Sequence, residues 1–245
     1  VATTSLLDSD EVLGAAIANF PSDRLRLLII SALLGGSIAL VMTLFVAPRP
    51  DWWAPPLTVI VVAATGLALG WYVLHNWNRE VILYERGFTY TEGSKIVPFR
   101  YDEVAALRLR AERLRYFGGL LPRDVYEFTI RTFAGDQFRL KGGLYRRAPE
   151  LGTRLTEQVN AALAPRLRAT FNSGTAVEFA DGFSVSKAGL HHGSMTLPWS
   201  EFGGTHIGSG KLGLLQTDGS EWLALRLTEI DNVTLLLDLI RSQRA

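Results

Sequence analysis

The sequence predicts an α+β protein with membrane helices: a transmembrane α-hairpin followed by two small β-barrel or sheet domains, each closed by a C-terminal helix. Three observations carry that expectation. Two uncharged runs of 21 residues lie near the N-terminus, at 27–47 and 54–74. From residue 79 onward, short alternating apolar segments are punctuated by Gly and Asp, the mark of strands and hairpins. That strand-rich region also repeats once, each copy ending in a segment with helical apolar spacing. The mean hydropathy of +0.16 is thus the average of two very apolar runs and an ordinary remainder.

Residues 1–23 form the first element. Over 5–20, Leu6, Val12, Leu13, Ala16, Ile17 and Phe20 fall on roughly one helical face behind Asp8, Ser9 and Asp10 as candidate caps. A short amphipathic helix ending at Pro21 is expected, lying on a membrane surface or on the domain that follows. Its acidic start argues against a strong anchor to anionic lipid.

The hairpin occupies residues 24–78. At 1.5 Å per residue, a 21-residue helix roughly covers a hydrocarbon core of ~30 Å. Pro55 and Pro56 open the second run, where missing N–H donors are tolerated. The link Pro48-Arg49-Pro50-Asp51 allows only a tight turn, so both outer ends lie on one side. The first run starts too late and is too long for a signal peptide, and no small-residue cleavage site follows it. Arg24, Arg26 and Arg79 flank the outer ends while the turn carries one Arg and one Asp. The positive-inside rule therefore puts the N-terminus and everything past residue 75 in the cytoplasm. Trp52 and Trp53 suit one interface, and Trp71, Tyr72 and Trp77 the other. Ser31, Gly35 and Ala39, with Gly66 and Gly70, are small residues at four-residue spacing that allow close helix approach, within the hairpin or to another membrane subunit. No ionisable Asp, Glu, Lys or Arg lies inside either run, which argues against a transporter or channel.

Residues 79–168 and 169–245 are the two copies. In the first, Leu83-Tyr84-Glu85-Arg86-Gly87-Phe88 precedes Tyr101-Asp102-Glu103-Val104. In the second, Val185-Ser186-Lys187-Ala188-Gly189-Leu190 precedes Trp199-Ser200-Glu201-Phe202. Each then has a hairpin signal, Ala134-Gly135-Asp136 or Asp218-Gly219, followed by a strand aromatic, Phe138 or Trp222. Pro149 opens a closing helix with Leu151, Leu155, Val159 and Leu163, and Pro165 is expected to stop it. Val233, Leu236, Leu237 and Ile240 mark the second closing helix.

The strand order, the terminal helix and the recurring "Gly-apolar, then aromatic-x-Glu-apolar" signature resemble the bacterial pleckstrin-homology-like domains, which often stand behind a two-helix membrane hairpin. The likeness covers residues 27–243. It implies a fold and a habit of membrane-side binding or scaffolding, and it brings no catalytic residues. Phosphoinositide-binding members use a basic strand-loop-strand near the domain start. Here the stretch after Phe88 is Thr-Tyr-Thr-Glu-Gly-Ser-Lys, with one Lys and one Glu, a departure from that pattern.

Charge separates the copies. The net charge of +1 divides into −2 for residues 1–78, +6 for 79–168 and −3 for 169–245. In the basic copy, Arg108, Arg110, Arg113 and Arg115 stand around the single acid Glu112, with Arg108 and Arg110 on one strand face. That face is the candidate site for a partner protein or anionic lipid; local salt bridges to Glu112 or Asp102 are the structural alternative. The near-neutral chain lacks the basic-aromatic motifs of a nucleic-acid binder.

Little points to chemistry. With no Cys, disulfides, thiolate metal sites and cysteine nucleophiles are excluded. His75 reads as interfacial, and adjacent His191 and His192 face opposite ways on a strand, so a metal site with His206 is not expected. Gly203-Gly204 and Gly208-Ser209-Gly210 lack the Lys-Ser/Thr ending of a phosphate loop. Ser194 and Ser200 lack a nucleophile elbow. Glu103 and Glu201 are expected to make equivalent structural hydrogen bonds. The reading is therefore a non-enzymatic inner-membrane protein whose tandem domains bind another protein, as an accessory subunit of a larger membrane complex, respiratory or photosynthetic, with no cofactor, metal or small-molecule substrate. The alternative is a sensor of anionic lipid.

Overall fold

The computed structural model describes residues 12–92, 95–116 and 121–243, with residues 92, 111–116 and 121–125 described as backbone. The first sheet is assembled across the helical hairpin. Strand β1 (Ala16–Pro21) pairs antiparallel with β2 (Glu80–Tyr84), Pro21 opposite Glu80, and the sheet continues through β3 (Gly87–Glu92) and β4 (Lys95–Arg100) in the order β1-β2-β3-β4. Between β1 and β2 run α1 (Arg24–Val41), a π-turn over Met42–Val46, and α2 (Ala54–Trp77). The expected amphipathic helix is thus corrected for its described part: residues 16–21 are a strand. Phe20 is fully buried in the first core, Leu13 packs with Ile82 and Tyr84, and Val12 and Ile17 are exposed. Gly14, with φ 86°, already breaks a helical path, and pairing with the apolar β2 outweighs a short amphipathic pattern. Leu6, Asp8, Ser9 and Asp10 lie outside the described residues.

A second sheet follows: β5 (Val104–Tyr116), β6 (Leu121–Thr132) and β7 (Gln137–Lys141), all antiparallel. Helix α3 (Ala148–Asn172) closes this first unit. The second unit repeats the order. Strands β8 (Val177–Ala180), β9 (Phe183–Ser186), β10 (Gly189–His192) and β11 (Met195–Pro198) form one sheet, and β12 (Phe202–Gly208), β13 (Lys211–Gln216) and β14 (Glu221–Arg226) another, before α4 (Val233–Ser242). The sheets stay separate antiparallel sheets rather than closing into a barrel.

Hydrogen bonds match between the units. The amide of Phe133 donates to the Glu103 carbonyl and that of Thr217 to the Glu201 carbonyl, each at 2.9 Å. Arg146 donates from its amide to Pro21 on β1, as Asp231 does to Phe179 on β8. Both closing helices begin behind a left-handed residue, Arg147 (φ 56°) and Asn232 (φ 49°). By this correspondence the two-residue turn Asp181-Gly182 of the second unit stands where the first unit carries its helical hairpin.

Helix α3 belongs to both cores. Leu151, Leu155, Val159 and Leu163 pack in the first, Phe171 in the second, and Leu167 against each. The helix runs through Pro165, correcting the expected stop there. An internal Pro costs roughly 3 kcal/mol. Burial of Phe171 and part of Leu167 returns a similar amount, at about 1.5–3 kcal/mol per fully buried side chain, and Arg166 stacks over Phe133 at 4.0 Å.

Candidate membrane and partner interfaces

The hairpin grows out of a strand pair without a linker. The amide of Ser22 donates to the Arg79 carbonyl (2.9 Å) and its hydroxyl to the Trp77 carbonyl (2.7 Å). Asp23 caps α1 by accepting from the Arg26 amide, and its own amide donates to Leu144 (2.8 Å). Arg147 reaches back to the Asn19 carbonyl at 3.2 Å. These bonds splint the helices to the first unit.

Both helices are long and apolar enough to cross a membrane, and only 11 % of each apolar stretch is buried within the chain. A core helix of a soluble domain is mostly covered; this pair covers mainly itself. Ser31, Ala54, Thr58 and Asn76 are buried on the two helices. Leu69 Cδ1 lies 3.0 Å from where a Cβ on Gly35 would stand, so Gly35 permits the close approach, with half-buried Ala39 one turn on. Gly66 and Gly70 are exposed and have nothing within 4 Å of that point, so they take no part in the seam. Gly35→Leu is therefore expected to loosen the hairpin by about 1–3 kcal/mol through overpacking, whereas Gly66→Leu leaves it unchanged. Thermal unfolding of the two variants in detergent compares them.

The expected interfacial aromatics gather at the two ends of the hairpin. Trp52 and Trp53 stand at the tip, the former 88 % exposed. At the base Trp71 stacks on His75 (5.1 Å) and Arg24 lies over Trp77 (5.2 Å), with exposed Tyr72 beside them. Along α2, at 1.5 Å per residue, Trp53 lies about 27 Å from Trp71 and about 36 Å from Trp77.

The basic strand is divided. Arg108 is committed within the chain: its guanidinium donates to Asp231 Oδ1 (Nη2 2.9 Å, Nε 3.0 Å), while Arg131 holds Oδ2 at 2.8 Å. Beside this pair, Asn232 Oδ1 accepts from the Leu107 amide (2.9 Å), its amide donates to the Leu107 carbonyl (2.9 Å), and Nδ2 reaches Ala105 (3.4 Å). Asp231 and Asn232 are both buried. The basic first unit and the acidic second unit are thus joined through these residues, and the salt bridge of Arg108 reaches across to Asp231 of the second unit. Arg110 is exposed and opposite Glu127. The side chains of Arg113 and Arg115 lie outside those described. Arg131, Asp231 and Asn232 are absent from the sequence reading; the opposite net charges of the two units were the available sign.

The remaining chemical candidates are accounted for locally. His191 sits between Ser186 (2.7 Å) and Thr196 (3.0 Å), and His206 lies 3.7 Å from Glu221. Among the described residues no three His, Asp or Glu side chains are placed to hold a metal. The Glu103 carboxylate caps its own turn through the Arg100 amide (3.4 Å). A cleft of about 200 Å³ between α3 and α4 is lined by Leu167, Phe171 and Leu239 with Arg168 and Asp238 at its rim. Another, of about 350 Å³, has Arg86, Arg100, Asp102 and Gln158 around Tyr101, whose hydroxyl is buried without a partner among the described residues and whose pKa burial raises.

Arg100 binds Asp102 with two hydrogen bonds, 2.7 and 2.9 Å, and holds its carboxyl below the usual range. A lowered folded-state pKa means the pair stabilises the fold above the unfolded carboxylate value, and loses that effect as pH falls through the folded value. An NMR titration is expected to place Asp102 below the ordinary value of about 3.9, and Arg100→Gln to bring it back up.

The sequence is matched over residues 7–245 by a family model described as a family of unknown function (DUF6585). No curated protein matches it.

Proposed function

The chain belongs to the DUF6585 family of unknown function, and on that footing we propose that it is a non-enzymatic protein of the bacterial inner membrane that displays two pleckstrin-homology-like units to bind another protein. The observation that carries the reading is the hairpin: two long apolar helices, 11 % of each stretch buried, splinted into the first sheet by Ser22, Asp23 and Arg79. Such a pair needs a non-aqueous surrounding, and its rigid base holds the units at a set pose beside it. The four-strand, three-strand, helix order of each unit supports the pleckstrin-homology kinship. Arg24, Arg26 and Arg79 at the base support a cytoplasmic position for both units and both chain ends. A protein held in this way suits an accessory subunit of a larger membrane complex. The rival reading, an anionic-lipid sensor built on Arg108, Arg110, Arg113 and Arg115, loses Arg108 to Asp231.

The chain has no Cys, so single cysteines report cleanly. In intact cells a membrane-impermeant maleimide is expected to label Asp51→Cys at the hairpin tip and to leave Ala134→Cys unlabelled until the membrane is opened. Gentle detergent extraction is expected to yield a stoichiometric complex with a second membrane protein. A strictly monomeric, partnerless chain would sink the subunit reading.

A further inference from the structure

The ribbon of β5 and β6 overhangs its own sheet. β7 pairs with β6 only from Arg131 to Glu127, whereas β5 and β6 stay paired as far as Tyr116 opposite Leu121. Residues 111–116 and 121–126 are thus a two-stranded extension with no third strand among the described residues. At ~3.3 Å per residue, the five residues past position 111 reach about 16 Å.

Contacts at two levels set its direction. Residues 105–108 of β5 meet Asp231 and Asn232 of the second unit. Tyr126, opposite Ala111, lies against Gly142. Gly142 is two residues before Leu144, whose carbonyl holds the Asp23 amide at the start of α1. β5 therefore runs from the second unit to the base of the hairpin, and the extension carries on past that base. The uncharged run of α1 begins at Leu27, about 6 Å along the helix from Asp23, a distance shorter than the extension.

The composition suits that place. The extension contains Leu114, Tyr116, Leu121, Pro122 and Val125 together with Arg113, Arg115 and Arg123. A two-stranded ribbon is marginal in water by itself and needs another surface to cover it. Aromatic and aliphatic residues interspersed with Arg settle where acyl chains meet phosphates. We infer that the β5–β6 extension is a second membrane contact, its end at residues 114–116 and 121–123 seated in the headgroup layer of the leaflet from which the hairpin descends. The inference rests on the membrane reading of the hairpin. With two contacts, the first unit cannot swivel about the helices.

The test uses the full chain in vesicles of phosphatidylcholine and phosphatidylglycerol, with and without spin-labelled lipid. An environment-sensitive fluorophore is placed on Leu121→Cys in the ribbon, Leu40→Cys in α1, or Ala134→Cys at the opposite end of the same sheet. The label at 121 is expected to emit to the blue and to be quenched severalfold by spin-labelled lipid, as the label at 40 is, while the label at 134 responds to neither. Aqueous behaviour at 121 with lipid-buried behaviour at 40 overturns the ribbon contact and leaves the hairpin reading standing. Aqueous behaviour at both overturns the two together.

Discussion

Gly189→Ala is expected to unfold the second unit while much of the first persists. A Cβ at this position would run into the carbonyl oxygen of Leu197 and lie 2.9 Å from Pro198 Cα, on a backbone with φ 153°. Neither side can yield, because Gly189 pairs with Ser186 on β9 and with Pro198 on β11. Such a steric and conformational conflict is worth upwards of about 3 kcal/mol, a large share of the stability of a small unit. Gly87 is its counterpart: a Cβ there would meet the Phe99 carbonyl and, at 2.7 Å, Leu13 Cδ2. The glycine of the repeated signature is thus explained by close approach of the next strand. Hydrogen exchange is the discriminating measurement. Gly189→Ala is expected to strip protection from residues 177–243 and spare 80–141, and Gly87→Ala to do the reverse. Wild-type protection in both variants would remove this explanation of the signature.

The second large effect is expected at the joint between the units. Asn232→Ala leaves the Leu107 amide without its side-chain acceptor and puts Ala in a left-handed conformation at φ 49°. A buried orphan donor costs about 1–3 kcal/mol and left-handed backbone about 1–2 kcal/mol for a residue with no compensating side chain. A loss near 3 kcal/mol is therefore expected in urea unfolding. Asn232→Gly keeps the backbone shape and loses only the side-chain bonds, so it should fall between the two. Asp231→Ala exposes Arg108 and Arg131 to each other without their shared acceptor. Because both guanidinium groups are partly solvated, about 1–2 kcal/mol is expected. Wild-type stability in Asn232→Ala would mean that the Asn232 bonds contribute nothing to the joint.

Much of the architecture was legible along the chain. The two uncharged runs became α1 and α2, and the Leu151, Leu155, Val159 and Leu163 series became the buried face of α3. The paired motifs at Gly87 and Gly189, and at Glu103 and Glu201, proved to be equivalent places in two units of the same strand order, with the shared hydrogen bonds made by the glutamate carbonyls. Each of these is a local signal, a helical period or a turn residue, and it survives whatever packs around it.

Other features turned on residues far apart in the chain. Residues 16–21 carry an apolar spacing that a helix could use, yet they form β1 because β2, beyond the whole hairpin, offers a strand to pair with. Pro165 reads as a stop, yet the helix continues because Phe171 and Leu167 find a second core. Arg108 and Arg110 share a strand face as expected, but Asp231, 123 residues away, claims the first of them. What the order of residues settles for this protein is which segments are apolar, which are strands and that they recur. Where the hairpin is inserted, how the units are joined and which arginines are withdrawn from the surface belong to the folded chain, since pairing and ion-pair energies depend on neighbours that only folding brings together.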